Sequence, residues 1–276
     1  MAEVANATVT IIPGFEGLDA LHAQELPQKD NLCGAFWAAL VLRAAGIVEA
    51  EGDEVDQDLV ALRAGSLLPE SEDPADAVPP GATSRTDYRL AIPVSSDHSL
   101  TGTSAVSLGR AMRDLSGAAL AAIPVAGPWD EEHVLALVEN AARAGDAIAL
   151  IANLRTGRLW GSRPPPGGIL AYLAGGIVEP EPPDWDVGHF VTLAGSVHGP
   201  AGFLVLVRDT YATLGWGGYH LQPADALAAA LERGDGREGG VLCVVPASEA
   251  EALSERLSAG GFELRDWDNG TPAAAS

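Results

Sequence analysis

Cys33, Gln28, His189 and Asp209 are the residues whose types and spacing could do chemistry together. The stretch from Leu26 to Gly46 reads LPQKDNLCGAFWAALVLRAAG. Asp30 or Asn31 is the candidate N-cap of a helix that is apolar nearly all round from Leu32 to Ala45, and Gly46 is a natural stop. A helix hydrophobic on every side is a buried one. Cys33 falls in its first turn, where the positive end of the helix dipole and the unpaired N–H groups favour a thiolate, the nucleophilic form of the sulfur. Gln28 lies just outside the helix, and its amide can turn back to join the Cys33 N–H in holding a developing oxyanion.

A base must reach the sulfur from elsewhere in the fold. His189 follows Gly188 at the mouth of a strand, with Val191 and Leu193 directed into the core from the same face. Asp209 ends the next strand, and a hairpin with a short turn brings that end back to His189, so that a carboxylate can hold the imidazole in its reactive tautomer. His220 is the second candidate base. Trp216, in a glycine loop, is the candidate shield of the His–Asp pair, and Trp216 and Gly188 are the candidate substrate contacts. His22, His98, His133 and His198 lack cysteine or carboxylate partners at ligand spacing, so neither a metal nor another cofactor is expected. Each residue also has a plainer reading: Cys33 as a buried thiol, His189 as a structural histidine, Asp209 as a turn cap. Trp37 reads as core, and Cys243, inside VLCVV, as structural.

The blocks QKDNLCGAFW, DVGHFVTLAG and VRDTYATLGWGGYH, in this order, resemble the three active-site blocks of papain-like cysteine peptidases. In that superfamily a Gln precedes the Cys, a Gly-His opens a strand, and an Asn or Asp is followed by Trp-Gly. The resemblance implies Cys33 as nucleophile, His189 as base, Asp209 as its orienting group and Gln28 in the oxyanion hole. Asp at the third block looks closest to bacterial peptidases that clip leader peptides behind double-glycine sites. The long interval between Cys33 and His189 suits a papain-like layout. The segment from Glu49 to Glu181 matches no such block.

The elements that must position these residues read as α+β. A strand is expected over Ala7–Pro13 and short helices over Leu59–Ala64 and Val106–Leu115. A strand at Ala119–Val125, a helix at Glu131–Ala144 and a strand at Ala147–Leu154 come next. The acidic, proline-rich run Leu68–Thr86 reads as a loop, SRPPPGG at Ser162–Gly168 as a rigid loop before a short helix at Ile169–Leu173, and the hairpin starts at His189. A helix over Pro223–Arg233, a buried strand over Gly240–Pro246 and a helix over Ser248–Ser258 close the pattern. One papain-like domain over 1–268 is expected, with the nucleophile helix packed on an antiparallel sheet, an insertion over about 49–104 and a disordered tail over 269–276.

The chain has 276 residues and a formal net charge of −22, with Lys29 its only lysine. Such a surface repels phosphate backbones and anionic lipid, which argues against nucleic-acid or membrane partners. It could steer a cationic peptide or amine. No apolar run is long enough to span a bilayer. No basic residue precedes the apolar stretch of the N-terminus, and two distant cysteines form no disulfide framework, so a cytoplasmic protein is expected. There is no GxGxxG after a strand and no GxxxxGK[ST]. The expected activity is hydrolysis of a peptide bond through an acyl-enzyme, with a peptide, such as the precursor of a ribosomally made peptide, as partner. Two alternatives remain: transfer of the acyl group to an amine by an amidotransferase or peptide cyclase, and a papain-like scaffold that binds peptide without turnover.

Overall fold

Strands that are apolar at every position must bury both faces, and both are covered in the computed structural model, which describes residues 7–71, 78–143 and 149–274. In chain order the elements are β1 (Thr8–Ile11), α1 (Phe15–His22), α2 (Cys33–Ala44), α3 (Gln57–Arg63), α4 (Ala105–Leu115), β2 (Leu120–Val125), α5 (Glu131–Arg143) and β3 (Ala149–Arg155). Then come α6 (Pro166–Leu173), β4 (Gly188–His198), β5 (Phe203–Arg208), β6 (Tyr219–Pro223), α7 (Ala224–Glu232), β7 (Gly240–Pro246) and α8 (Ala250–Ala259). The strands form one seven-stranded antiparallel sheet in the order β6-β5-β4-β3-β7-β2, with β1 also paired to β4.

The period of two along β3 and β7 sorts the core into two layers. Ile151, Leu242 and Val244 face α2, α3 and α4. Leu150, Ala152, Leu154, Val241, Cys243 and Val245 face α5, α7 and α8. The chain is thus α+β, with helices on both faces of an antiparallel sheet. Val191 and Leu193 of β4 enter the second layer as the sequence predicts, and Phe190 and Ala194 enter the first. Among the described residues no helix is long and apolar enough to cross a membrane.

Three expectations need correction. Neither Asp30 nor Asn31 caps α2: its N-cap is Leu32, with no side-chain cap. Asp30 instead accepts from the Ser84 hydroxyl and the Arg85 N–H, and Asn31 takes a left-handed φ of 63° at the bend into the helix. A tertiary partner has outcompeted local capping by Asp30. The tail is docked as far as Ala274: Asn269 donates to Thr103 O, Thr271 to Thr101 O, and Ala274 N–H to the Ser107 hydroxyl. Trp267 is buried in the first core layer, which anchors the segment behind it. Finally α6 begins at Pro166, inside the expected rigid loop, because proline is well suited to the first helical turn. Ala144, Ala147, Ile148, residues 72–77 and residues 275–276 of the expected elements lie outside the described residues.

The expected insertion grips the loop before α2. The Lys29 ammonium is paired with both oxygens of Asp58 at 2.8 and 2.9 Å, and the Lys29 N–H donates to the Gln57 side chain at 2.7 Å. Asp58 also accepts from the N–H groups of Arg89 and Leu90, Tyr88 donates to Asp30 O, and Arg85 donates to Pro27 O. Breaking a buried pair strands a charge, so Asp58→Ala should lower the free energy of unfolding by about 3–5 kcal/mol. Urea unfolding checks this. The double variant Lys29→Met/Asp58→Leu should recover much of the loss, and a single-variant loss below about 1 kcal/mol would contradict the clamp.

Candidate active site

Helix α2 packs tightly on the sheet at Gly34, where a Cβ would stand 3.1 Å from the Phe190 ring and 3.2 Å from Leu108. Gly34 and Phe190 are the chain neighbours of Cys33 and His189, so this contact sets the thiol against the imidazole. Cys33 and His189 line the same cavity, and the sulfur is close enough to help raise the His189 pKa. His189 Nε2 lies 3.2 Å from Asp209 Oδ1 and 3.4 Å from the Thr210 hydroxyl. With Nε2 turned to the carboxylate, Nδ1 is the nitrogen left for the sulfur. The hairpin of β4 and β5 brings His189 and Asp209 together as expected; its register shifts at a bulge between Leu193 and Gly195.

Asp209 is held from several sides. Its Oδ1 accepts from Tyr211 N–H at 2.9 Å, its own N–H donates to Gly218 O, and its carbonyl lies 3.1 Å from His22 Nε2. Burial pushes the His189 pKa down, but the Asp209 charge, the neighbouring Cys33 sulfur and the hydrogen bond to Asp209 outweigh it and raise it to about 10. Burial would raise Asp209, yet His189, His220 and the Tyr211 N–H hold it below the usual carboxylate range. The pair is therefore an imidazolium and a carboxylate, both almost fully buried.

Gln28 is buried close by. Its Oε1 accepts from the Thr210 hydroxyl at 2.6 Å, which orients the amide, and its Nε2 makes a long 3.4 Å contact with Lys29 O and faces the Tyr211 side chain. Gln28, Cys33, Gly188 and His189 line one cavity of about 290 Å³. Gly188 has a steric role there: a Cβ would lie 2.9 Å from the Arg233 guanidinium.

Trp216 does not shield the pair. It is 47% exposed, in a tight turn closed on Tyr219. Trp185 packs edge-on against His189 at 5.4 Å, and Tyr211 stacks on it at 6.1 Å. The loop carrying Trp216 is fastened instead by Arg163, which donates to Gly215 O and Thr213 O. SRPPPGG therefore packs on that loop, and none of its residues lines the cavity at Cys33. The aromatic-rich strings DWDVGH and DTYATLG contained the signal for Trp185 and Tyr211, since each lies within four residues of a candidate site residue.

His220 faces the far oxygen of Asp209, with Nε2 3.9 Å from Oδ2. Trp160 N–H donates to Gln222 Oε1, and Gln222 Nε2 donates to Trp160 O and to His220 Nδ1 at 3.0 Å. This fixes the amide and makes Nδ1 an acceptor, so His220 carries its proton on Nε2, toward Asp209. Burial lowers its pKa, which keeps it neutral beside a charged neighbour. His220 thus supports the carboxylate and stands on the far side of it from Cys33. Among the described residues no group of three or more His, Cys, Asp or Glu could hold a metal ion.

A model of a family described as "Family of unknown function (DUF6885)" matches residues 12–268, and the chain belongs to that family. No curated protein matches it.

The linkage of this pair to pH has a definite sign. A raised histidine contributes stability in full below its unfolded value of about 6.5, and loses it as pH rises toward about 10; a lowered aspartate contributes above about 3.9 and loses it in acid. Both are in full force only from about pH 4 to 6.5. Imidazole nitrogen shifts should show His189 charged at pH 8 and His220 neutral at pH 7, and Asp209→Asn should bring the His189 titration down. A wild-type His189 that titrates at or below about 6.5 would refute the ion pair.

Proposed function

We propose that this member of the family is a cysteine peptidase, with a papain-like arrangement in which the nucleophile opens a helix packed on the antiparallel sheet that carries its base. The observation that carries the reading is the chain Cys33–His189–Asp209, assembled from three distant segments with Gln28 on the same cavity. The Cys33 sulfur attacks the carbonyl carbon of the scissile amide, and the carbonyl electron pair moves to oxygen. Gln28 Nε2 and the Cys33 N–H, one of the four that a helix leaves without an intrahelical acceptor, receive that oxyanion. As the C–N bond breaks, His189 Nδ1 gives its proton to the leaving amine, and Asp209 holds the ring throughout. Water then attacks the thioester and gives its proton to His189, and collapse releases the acid and the thiolate.

Two features support this over a binding scaffold: the amide of Gln28 is aimed by Thr210, and the carboxylate of Asp209 by Tyr211 N–H. Neither is needed merely to fill space. A working thiol requires a reducing compartment, and Cys33 and Cys243 are both free, which fits a cytoplasmic enzyme. A precursor peptide remains the substrate suggested by the resemblance of the three blocks.

The rate of Cys33 alkylation by iodoacetamide, followed by mass and peptide mapping across pH, tests the reading. The wild type should label selectively at Cys33 and faster than free cysteine in the same buffer, and His189→Ala should lose that excess. Indistinguishable profiles would leave a peptide-binding scaffold as the answer. With a cleaved peptide in hand, Gln28→Ala should lower kcat by about ten- to a thousandfold with little change in the alkylation rate.

A further inference from the structure

The cavity at Cys33 runs against the charge of the molecule. In a chain of net charge −22 its wall carries three guanidinium groups, Arg155, Arg233 and Arg237, against one carboxylate, Asp186. Two of the three are neutralised. Arg155 is bidentate to Asp186 and reaches Asp235 at 3.2 Å, and Arg233 is bidentate to Asp235 and bonds Asn153 Oδ1 at 3.2 Å. Arg237 is not. Its guanidinium donates to Ser99 O at 2.7 Å, and among the described residues no carboxylate pairs with it.

Its placement is fixed by a missing side chain. At Gly270, φ 93°, a Cβ would lie 2.5 Å from Arg237 Nε, so any other residue there would evict the guanidinium. Gly270 belongs to the docked C-terminal segment, and its neighbours Asn269 and Thr271 line the same cavity. Asn269 is itself buried, and its Oδ1 has no hydrogen-bond partner. A polar wall with one guanidinium outside any ion pair, its charge reaching only exposed Asp97 at longer range, has room for one negative charge with donors beside it. A volume of about 290 Å³ admits one side chain or one chain end and little more.

We propose that this cavity receives a carboxylate of the substrate, held by Arg237, next to the bond that Cys33 attacks. The proposal rests on the cysteine-nucleophile reading for its meaning in catalysis, while the anion site itself stands on Arg237 and the tail. The carboxylate could belong to an acidic side chain or to the end of the peptide.

Iodoacetate and iodoacetamide deliver the same alkylation with and without a carboxylate. The iodoacetate to iodoacetamide rate ratio at Cys33 should exceed that of free cysteine in the same buffer. It should fall about fivefold or more in Arg237→Met and be retained in Arg237→Lys, with the iodoacetamide rate unchanged in both. His189 is common to all three proteins, so the difference isolates Arg237. An equal ratio in wild type and Arg237→Met would overturn the proposal. In the wild type alone, calorimetry with four probes gives an independent test. N-acetyl-glutamate α-amide binding identifies a side-chain carboxylate, and N-acetyl-glutamine binding a chain end. N-acetyl-glutamine amide, which is neutral, and inorganic phosphate should not compete with either, and equal binding of the neutral probe would overturn the proposal. Carboxylate binding with a Cys33 that reacts like a free thiol would instead refute the nucleophile reading and leave the anion site standing.

Discussion

The carboxylate of Asp209 is buried to within a few per cent, and a charge so placed is tolerated only when its field is answered. Here the answer comes from His189, from the Tyr211 N–H and from the Nε2 side of His220. Each of these arrives on a different piece of backbone, so the requirement draws together the start of β4, the end of β5 and all of β6. The bond of His22 to the Asp209 carbonyl adds α1 to the same node, and Arg208 ties His22 in turn. Burial and the adjacent Arg208 lower the His22 pKa to about 4, so that side chain brings no competing charge. One neutral histidine below and one beside the carboxylate leave His189 as its only histidine that is charged.

The opposite half of the site depends on a different buried charge. Gln28 can be useful only if the loop from Pro27 to Asn31 holds still, and that loop makes no regular secondary structure of its own. Its rigidity comes from the only lysine of the chain, shut against Asp58, and from the grip of residues 84–90. A segment that reads in sequence as an acidic excursion is therefore the buttress of the loop before the nucleophile. Such an arrangement is costly in desolvation, and it serves geometry more than stability.

The meeting of Cys33, His189 and Asp209 was legible in sequence because all three sit at element boundaries, where local signals are strong: a thiol at the start of an apolar helix, a histidine at the start of a strand and an aspartate at the end of its hairpin partner. The two-sided strands were legible for the same reason, since β3 and β7 are apolar at both parities. Features decided by a distant partner could not be read. Asp30 has the type and position of a cap, but Ser84 and Arg85 claim it across more than fifty residues. Trp216 has the right neighbours in the string GWGG, but the loop faces outward and Trp185, from another loop, fills the place beside His189. The strand β6 was hidden by its mixed sequence YHLQP, whose His and Gln are buried only because they bond each other and Trp160. The tail looked disordered by composition, whereas Trp267 is a core residue and commits the seven residues after it to a path along Thr101 and Thr103.

That path links the end of the chain to the electrostatics of the site. A net charge of −22 sets the far field, which repels anions and governs encounter at long range. Within a Debye length the local arrangement dominates, because charges lining a cavity are screened less than those on the surface. Asp186 and Asp235 are used up in orienting Arg155 and Arg233, and those two arginines form a rigid wall that is electrically close to neutral. Arg237, set on the bare backbone of Gly270, is then the group that gives the cavity its sign. On the proposed reading this layout would discriminate at two ranges: it would disfavour highly charged polyanions before contact and favour a single carboxylate within the cleft. Selectivity of that kind would need the docked C-terminal segment as much as the helix that Cys33 opens.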